Sequence, residues 1–98
     1  MDDKRQHRRV PLVVEVTCIP QGGEPFTATS KDISLGGMFV SAGSSPPFGT
    51  AITLRLTFPG HKAPFDLPGT VRWNLPEGFG VQFGLLGARE THAITKLG

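Results

Sequence analysis

The chain has 98 residues, which is enough for one domain with a single modest hydrophobic core. Hydrophobic residues make up 38% of the sequence, which argues against disorder, and the 13 glycines and 9 prolines favour a β-rich fold with tight turns over a helix bundle. The net charge of +2 lies entirely in residues 1–9, because they hold four basic and two acidic residues whereas residues 10–98 hold six of each. A neutral body argues against a protein that follows a long nucleic-acid backbone, which would need a basic stripe across its fold.

Alternation of apolar and polar residues predicts about six short strands separated by turns. In chain order these cover residues 10–18, 26–32, 38–42, 51–58, 65–73 and 79–83. Within the fifth strand we expect Phe65, Val71 and Trp73 to point inward, with a bend at Pro68 and Gly69. Residues 88–98 carry the only helical pattern. We therefore predict an all-β fold, a small six-stranded antiparallel barrel with a short C-terminal helix, because closure removes exposed sheet edges.

Little in the sequence supports catalysis or metal binding. His7 falls in the basic head (residues 1–9), His61 in a turn and His92 in the predicted helix, and none has a partner at metal-ligand spacing. Cys18 is the only cysteine and lies on the apolar face of the first predicted strand, where a thiol packs into the core. No signal peptide or membrane-spanning segment is evident. We expect a cytoplasmic protein that is not an enzyme, needs no cofactor and does not insert into a membrane.

The basic head contains the first candidate binding motif, "RQHRR", in which Arg5 and Arg9 stand at the ends of an R-x-x-x-R spacing. The planar fork of arginine can grip a phosphate in two places or bond the O6/N7 edge of guanine. Taken alone, the stretch is equally compatible with a solvated charge run at a terminus.

The second candidate motif is "DISLGG", a D-x-S-x-x-G arrangement between the second and third predicted strands. Asp32 can accept hydrogen bonds from the N1–H and N2–H₂ donors of guanine, Ser34 can donate or accept, and the glycines allow a close backbone approach. An ordinary serine turn is the alternative. Together the two motifs complement both edges of guanine and a phosphate, which predicts a guanine nucleotide with a compact diphosphate as ligand.

These residues resemble the signature of the PilZ domain, a bacterial receptor family for cyclic di-GMP. R-x-x-x-R ahead of the first strand and [D/N]-x-S-x-x-G after the second are both complete here, and "GTVRWN…GFGVQF" is similar to the end of the family's sheet. The resemblance covers residues 4–97. It implies a six-stranded barrel of residues 10–98 that binds cyclic di-GMP on its outer surface, and a flexible head of residues 1–9 that folds over the ligand.

The resemblance also implies a role for each motif residue. Arg5 and Arg9 would contact phosphate and guanine, Asp32 and Ser34 would hold a guanine, and Gly37 would leave room for it. Lys4, Arg8 and Gly36 would be auxiliary. Lys4 stands just ahead of the motif, at the position that the family associates with the number of bound ligands. The resemblance therefore leaves open whether one ligand or two would bind.

The implied function is that of a stand-alone receptor, a monomer or weak dimer. It would relay the signal to an unidentified protein partner in motility, biofilm or polysaccharide control. Two alternatives stay open: a PilZ-like scaffold that works through protein contacts without ligand, and a small barrel that binds RNA or single-stranded DNA. Nucleic-acid binding would need exposed aromatic side chains with cations around them. The alternation instead predicts that the aromatic residues face inward, namely Phe58, Phe65, Trp73, Phe79 and Phe83.

Overall fold

The structure, a computed structural model, describes residues 9–97. Within these residues the chain forms seven strands and one helix, so every predicted element is present. They are β1 (Val10–Pro11), β2 (Glu15–Pro20), β3 (Phe26–Ile33), β4 (Gly37–Ser41), β5 (Ala51–Leu56), β6 (Phe65–Leu75), β7 (Gly78–Phe83) and α1 (Ala88–Thr95).

Strands β2 to β7 close into an antiparallel barrel. The hydrogen-bonded order is β3-β2-β5-β6-β7-β4, and an additional pairing between β3 and β4 joins the two ends. The predicted six-stranded barrel with a C-terminal helix is therefore confirmed. The two-residue strand β1 lies outside this ring and pairs with the end of β3, where Val10 faces Ile33 and Pro11 faces Asp32.

The stretch predicted as one strand over residues 10–18 forms two strands instead, separated by residues 12–14. The buried Ser30 of β3 bridges the break: its hydroxyl donates to the Leu12 carbonyl and accepts from the Val14 N–H at 3.0 Å. The Ser30 N–H also donates to the Val14 carbonyl at 2.9 Å. These bonds fasten the segment that leads out of the head to β3, two residues before Asp32.

The core consists of the inward side chains of the barrel strands, as the alternation predicts, together with Ala93 and Ile94 of α1. Phe58 and Phe65 pack edge to face with ring centroids 5.1 Å apart. The guanidinium of Arg89 lies 4.1 Å from the centroid of the Phe65 ring and holds α1 against this end of the barrel. Cys18 is fully buried in the core, and this burial raises the pKa of its thiol to about 11.

The prediction that Trp73 points inward is wrong, because 56% of its surface is exposed. In the pairing of β6 with β7, Val71 faces Val81 and the next pair is Trp73 with Gly80, so Arg72 is an extra residue in β6. Such a β-bulge shifts the alternation by one residue and moves the following side chain to the opposite face. Trp73 consequently lies on the outer surface of the barrel.

Candidate functional site

A second β-bulge places Asp32 on the same outer surface. In the pairing of β3 with β4, Ser30 faces Val40 and the next pair is Asp32 with Phe39, which leaves Lys31 as the extra residue. Ser30 is buried, so strict alternation would have turned Asp32 toward the core as well. The bulge instead exposes Lys31 and Asp32 side by side. Both bulges therefore direct side chains to the outer face of β3, β4, β7 and β6.

The last residue of the head, Arg9, reaches the D-x-S-x-x-G motif. Its Nε and Nη2 atoms donate to Asp32 Oδ1 at 3.0 Å and 2.7 Å, and its Nη1 atom lies 3.5 Å from Ser34 Oγ. The Arg9 and Asp32 side chains are 46% and 32% exposed, so the ion pair lies at the protein surface. The structure thus brings together three of the predicted site residues from the two separate motifs.

Ser34 is almost fully buried and also forms the turn that joins β3 to β4. Its hydroxyl accepts from the Gly36 N–H at 3.1 Å, and its own N–H donates to the Gly37 carbonyl at 2.8 Å. The motif is therefore a serine turn of the kind that the sequence left open, and the same hydroxyl faces Arg9. The turn therefore fixes the Ser34 hydroxyl beneath the Arg9 guanidinium.

Gly37 has a structural requirement that the sequence did not indicate. Any Cβ atom at this position would overlap the Val81 carbonyl oxygen on β7. The neighbouring Gly36 accepts a hydrogen bond from the Phe83 N–H at 2.9 Å through its carbonyl. Gly37 therefore lets β4 approach β7 closely, and the Gly36 carbonyl ties the motif turn to the end of β7.

Beside Arg9 and Asp32 the outer surface forms a groove of about 380 Å³. Lys31, Asp32 and Phe39 line it on the side of β3 and β4, and Arg9 stands at its edge. The opposite side is formed by β6, β7 and their connecting turn, and its lining residues are Trp73, Leu75, Glu77 and Gly80. The groove therefore continues from the predicted motif residues to an apolar surface on the far hairpin.

The Trp73 ring forms a flat platform in this groove. A Cβ atom at Gly80 would lie 2.6 Å from the Cε3 atom of Trp73, so the ring rests directly on the backbone of β7. With one face supported and more than half of its surface exposed, the indole can stack with a planar group. The sequence signal for this contact was Gly80, the second glycine of "GFG", at a position that pairs with the aromatic residue Trp73.

The charged side chains of the described groove balance one another, with Arg9 and Lys31 against Asp32 and Glu77. The Lys31 ammonium lies 5.9 Å from the centroid of the Phe39 ring. Sequence reasoning missed Lys31, Phe39, Trp73 and Glu77, which only the folded barrel brings beside the motif residues. Further positive charge belongs to the predicted site residues Lys4, Arg5 and Arg8, which lie outside the described residues.

Residues 9–97 contain no group of His, Cys, Asp and Glu side chains that could hold a metal ion. Within that same range, no helix has both the length and the apolar character needed to cross a membrane.

The fold is a closed barrel with a polar and aromatic groove on its outer surface. The model of the PilZ domain family matches residues 3–97, so the chain belongs to the PilZ family, a family of cyclic di-GMP receptors that act as ligand-binding and adaptor domains. Comparison with curated protein sequences gave no match.

Two solved structures share the fold. The PilZ domain of CeSA from a cellulose-synthesizing bacterium is 18% identical, with a TM-score of 0.71 over 92% of this chain and 93% of that one. The Bacillus subtilis inhibitor of motility, MotI/DgrA, is 24% identical, with a TM-score of 0.75 over 97% of this chain. This chain spans about half of MotI/DgrA, since the match covers 49% of that protein.

Proposed function

We propose that this protein is a cyclic di-GMP receptor that binds its ligand in the outer groove. The observation that carries the proposal is the contact of Arg9 with both Asp32 and Ser34, because it joins the two halves of the family signature in one site. Family membership supports the ligand class, and the groove beside these residues offers the surface on which to bind it.

The chemistry of the pair suits a guanine base. Among residues 9–97, Asp32 accepts hydrogen bonds at Oδ1 only, from Arg9, so Oδ2 can accept from the N1–H and N2–H₂ donors of guanine. The ion pair also holds the Arg9 guanidinium beside the site, where it can reach a phosphate or the Hoogsteen edge of a base. Gly37 keeps the motif turn against β7, and Gly36 shapes that turn.

Trp73 and the head would complete the binding surface. The exposed face of the indole would stack on the purine ring system, since base–aromatic stacking contributes about 1–3 kcal/mol per base. Lys31 lies in the groove and would neutralise phosphate charge together with Arg5, Arg8 and Lys4 of the head. Ordering a flexible head costs roughly 1–2 kcal/mol per residue, which the charge-assisted phosphate contacts would offset.

The biological role follows from this coupling. A head that becomes ordered over the ligand would create a new surface for a protein partner, so the chain would act as an adaptor. We expect it to work in the cytoplasm, without catalytic activity, as a monomer or weak dimer. Control of motility is the output supported by the structural similarity to the inhibitor of motility MotI/DgrA, while biofilm and polysaccharide control rest on the family alone.

Titration of the purified protein with cyclic di-GMP tests the proposal directly. Trp73 is the only tryptophan in the chain, so its fluorescence reports on the groove while calorimetry gives affinity and the number of ligands bound. We expect saturable binding with a change in tryptophan emission and much weaker binding of cyclic di-AMP as a control. Absence of binding at high protein concentration would refute the proposal and favour the ligand-independent scaffold.

The outward position of Trp73 also gives one observation in favour of single-stranded nucleic acid. An exposed aromatic residue in the same groove as Lys31 and Arg9 is a feature of such sites, whereas the neutral charge of residues 10–98 argues against one. A salt titration with a short oligonucleotide separates the two functions. Affinity that falls steeply with salt would favour nucleic acid, and we expect no such binding.

A further inference from the structure

We propose that Glu77 recognises the second guanine of the ligand, so that the far end of the groove is a base-selective subsite. The inference rests on the proposed function and extends it. Asp32 would select one base of the cyclic dinucleotide from the β3 side, and Glu77 would select the other from the β6–β7 side.

Glu77 has a defined place in the fold. It is the second residue of the two-residue turn between β6 and β7, and the pair of Leu75 and Gly78 closes this turn. The Ala42 N–H donates to the Glu77 carbonyl at 3.1 Å, which ties this turn to the end of β4. The side chain of Glu77 is therefore carried on a fixed hairpin while it lines the same groove as Asp32 and Trp73.

The separation of the two acidic residues fits a ligand with two bases. Asp32 on β3 pairs with Phe39 of β4, which pairs in turn with Gly80 of β7, whereas Glu77 lies in the turn three residues before Gly80. Two strand spacings across the sheet and three residues along it, each roughly 10 Å, separate the two backbone positions by about 14 Å. Trp73 on β6 lines the same groove as Glu77, so one base would meet the indole with its face and the Glu77 carboxylate with its edge.

The charge of Glu77 argues for a base rather than a phosphate at this end. A carboxylate in a groove that receives a dianionic ligand repels the phosphates, and hydrogen bonds accepted from a base would offset that cost. Guanine offers two adjacent donors, N1–H and N2–H₂, on its Watson–Crick edge. Adenine has an unprotonated N1 acceptor there and would face the carboxylate with a lone pair. Glu77 would therefore favour guanine over adenine at the second position.

The test compares cyclic di-GMP with the mixed cyclic dinucleotide of GMP and AMP, which keeps one guanine for Asp32. We expect the wild-type protein to prefer cyclic di-GMP, and Glu77→Ala to reduce that preference by about tenfold or more, the effect of losing hydrogen bonds to a charged acceptor. Glu77→Gln, which keeps the side-chain shape, should also reduce the preference. Glu24→Ala removes an exposed carboxylate that does not line the groove and serves as the matched control, with no expected change.

The outcomes separate this inference from the proposed function. If the wild-type protein does not bind cyclic di-GMP, the proposed function fails. If it binds cyclic di-GMP but shows equal affinity for the mixed dinucleotide, or if both Glu77 variants keep the wild-type preference, only the role of Glu77 is overturned. A loss of affinity for both ligands by the same factor also overturns it, because base selection would then be unaffected.

Discussion

Removal of the Asp32 carboxylate should separate ligand binding from stability. The carboxylate receives two hydrogen bonds from Arg9, at 2.7 Å and 3.0 Å, but both side chains are substantially exposed to solvent. Solvent screening limits such a surface pair to about 0.2–1 kcal/mol, so Asp32→Ala and Arg9→Ala should each lower the free energy of unfolding by no more than about 1 kcal/mol. The two bonds to a guanine edge are worth roughly 1.5–3 kcal/mol each, so loss of Asp32 should weaken cyclic di-GMP binding by about 100-fold or more.

Urea unfolding, followed by circular dichroism, measures the first quantity, and calorimetry with cyclic di-GMP measures the second. Asp32→Asn should have a smaller effect than Asp32→Ala, because its amide oxygen can still accept a hydrogen bond from guanine, consistent with the [D/N] position of the family signature, whereas its amide nitrogen cannot. Glu24→Ala serves again as the control for loss of a surface carboxylate. A loss of stability above 2 kcal/mol, or an unchanged dissociation constant in both Asp32 variants, would refute the reasoning.

Three further results concern stability and thiol reactivity. Gly37→Ala should lower the free energy of unfolding by about 1–3 kcal/mol because its Cβ atom would overlap the β7 backbone, whereas Gly43→Ala, with open space around it, should have little effect in the same urea titration. Cys18 should not react with a disulfide reagent at pH 8 in the native protein but should react after unfolding. Burial raises the pKa of its thiol to about 11, which leaves about one thiolate per thousand molecules at pH 8. Rapid labelling of the native protein would contradict this. The Arg55 guanidinium lowers the pKa of Asp66, so the stability that this carboxylate contributes is present above its unfolded pKa of about 4 and is lost as the pH falls through the folded value. Asp66→Asn should therefore destabilise the protein at pH 7 and have a progressively smaller effect as the pH falls below about 4. An effect that does not change with pH would argue against the ion pair.

Much of the barrel could be predicted because its physical cause is local. A half-buried strand must alternate apolar and polar side chains, and turns need glycine and proline, so strands such as β5 are evident from residues 51–58 alone. Closure of the ring could also be expected, since an open sheet of this size would expose two edges. The helix was predictable from the spacing of Ala93, Ile94 and Leu97, which pack against or within the core.

The candidate site could be predicted only in part. The two motifs identified Arg9, Asp32 and Ser34, and the fold brings them together because β1 runs beside the end of β3. The groove beyond them depends on strands that are distant in sequence, so nothing local joins Phe39 to Trp73. The bulges at positions 31 and 72 could not be predicted from the sequence either, because a bulge depends on which residues of the partner strand pair with the bulged strand.

The bulge at Arg72 explains why the error about Trp73 matters for function. Strict alternation would have placed the indole in the core, where Trp73→Ala would remove several kcal/mol of stability through an unfilled cavity. On the outer surface, with its ring resting on Gly80, the same substitution should change the free energy of unfolding by only about 1 kcal/mol. It should weaken cyclic di-GMP binding about 5- to 150-fold, the effect of losing one stacked base. Phe48→Ala removes another exposed aromatic ring, one that does not line the groove, and should leave calorimetric binding unchanged. If Trp73→Ala and Phe48→Ala bind the ligand equally well, the indole is not part of the binding surface.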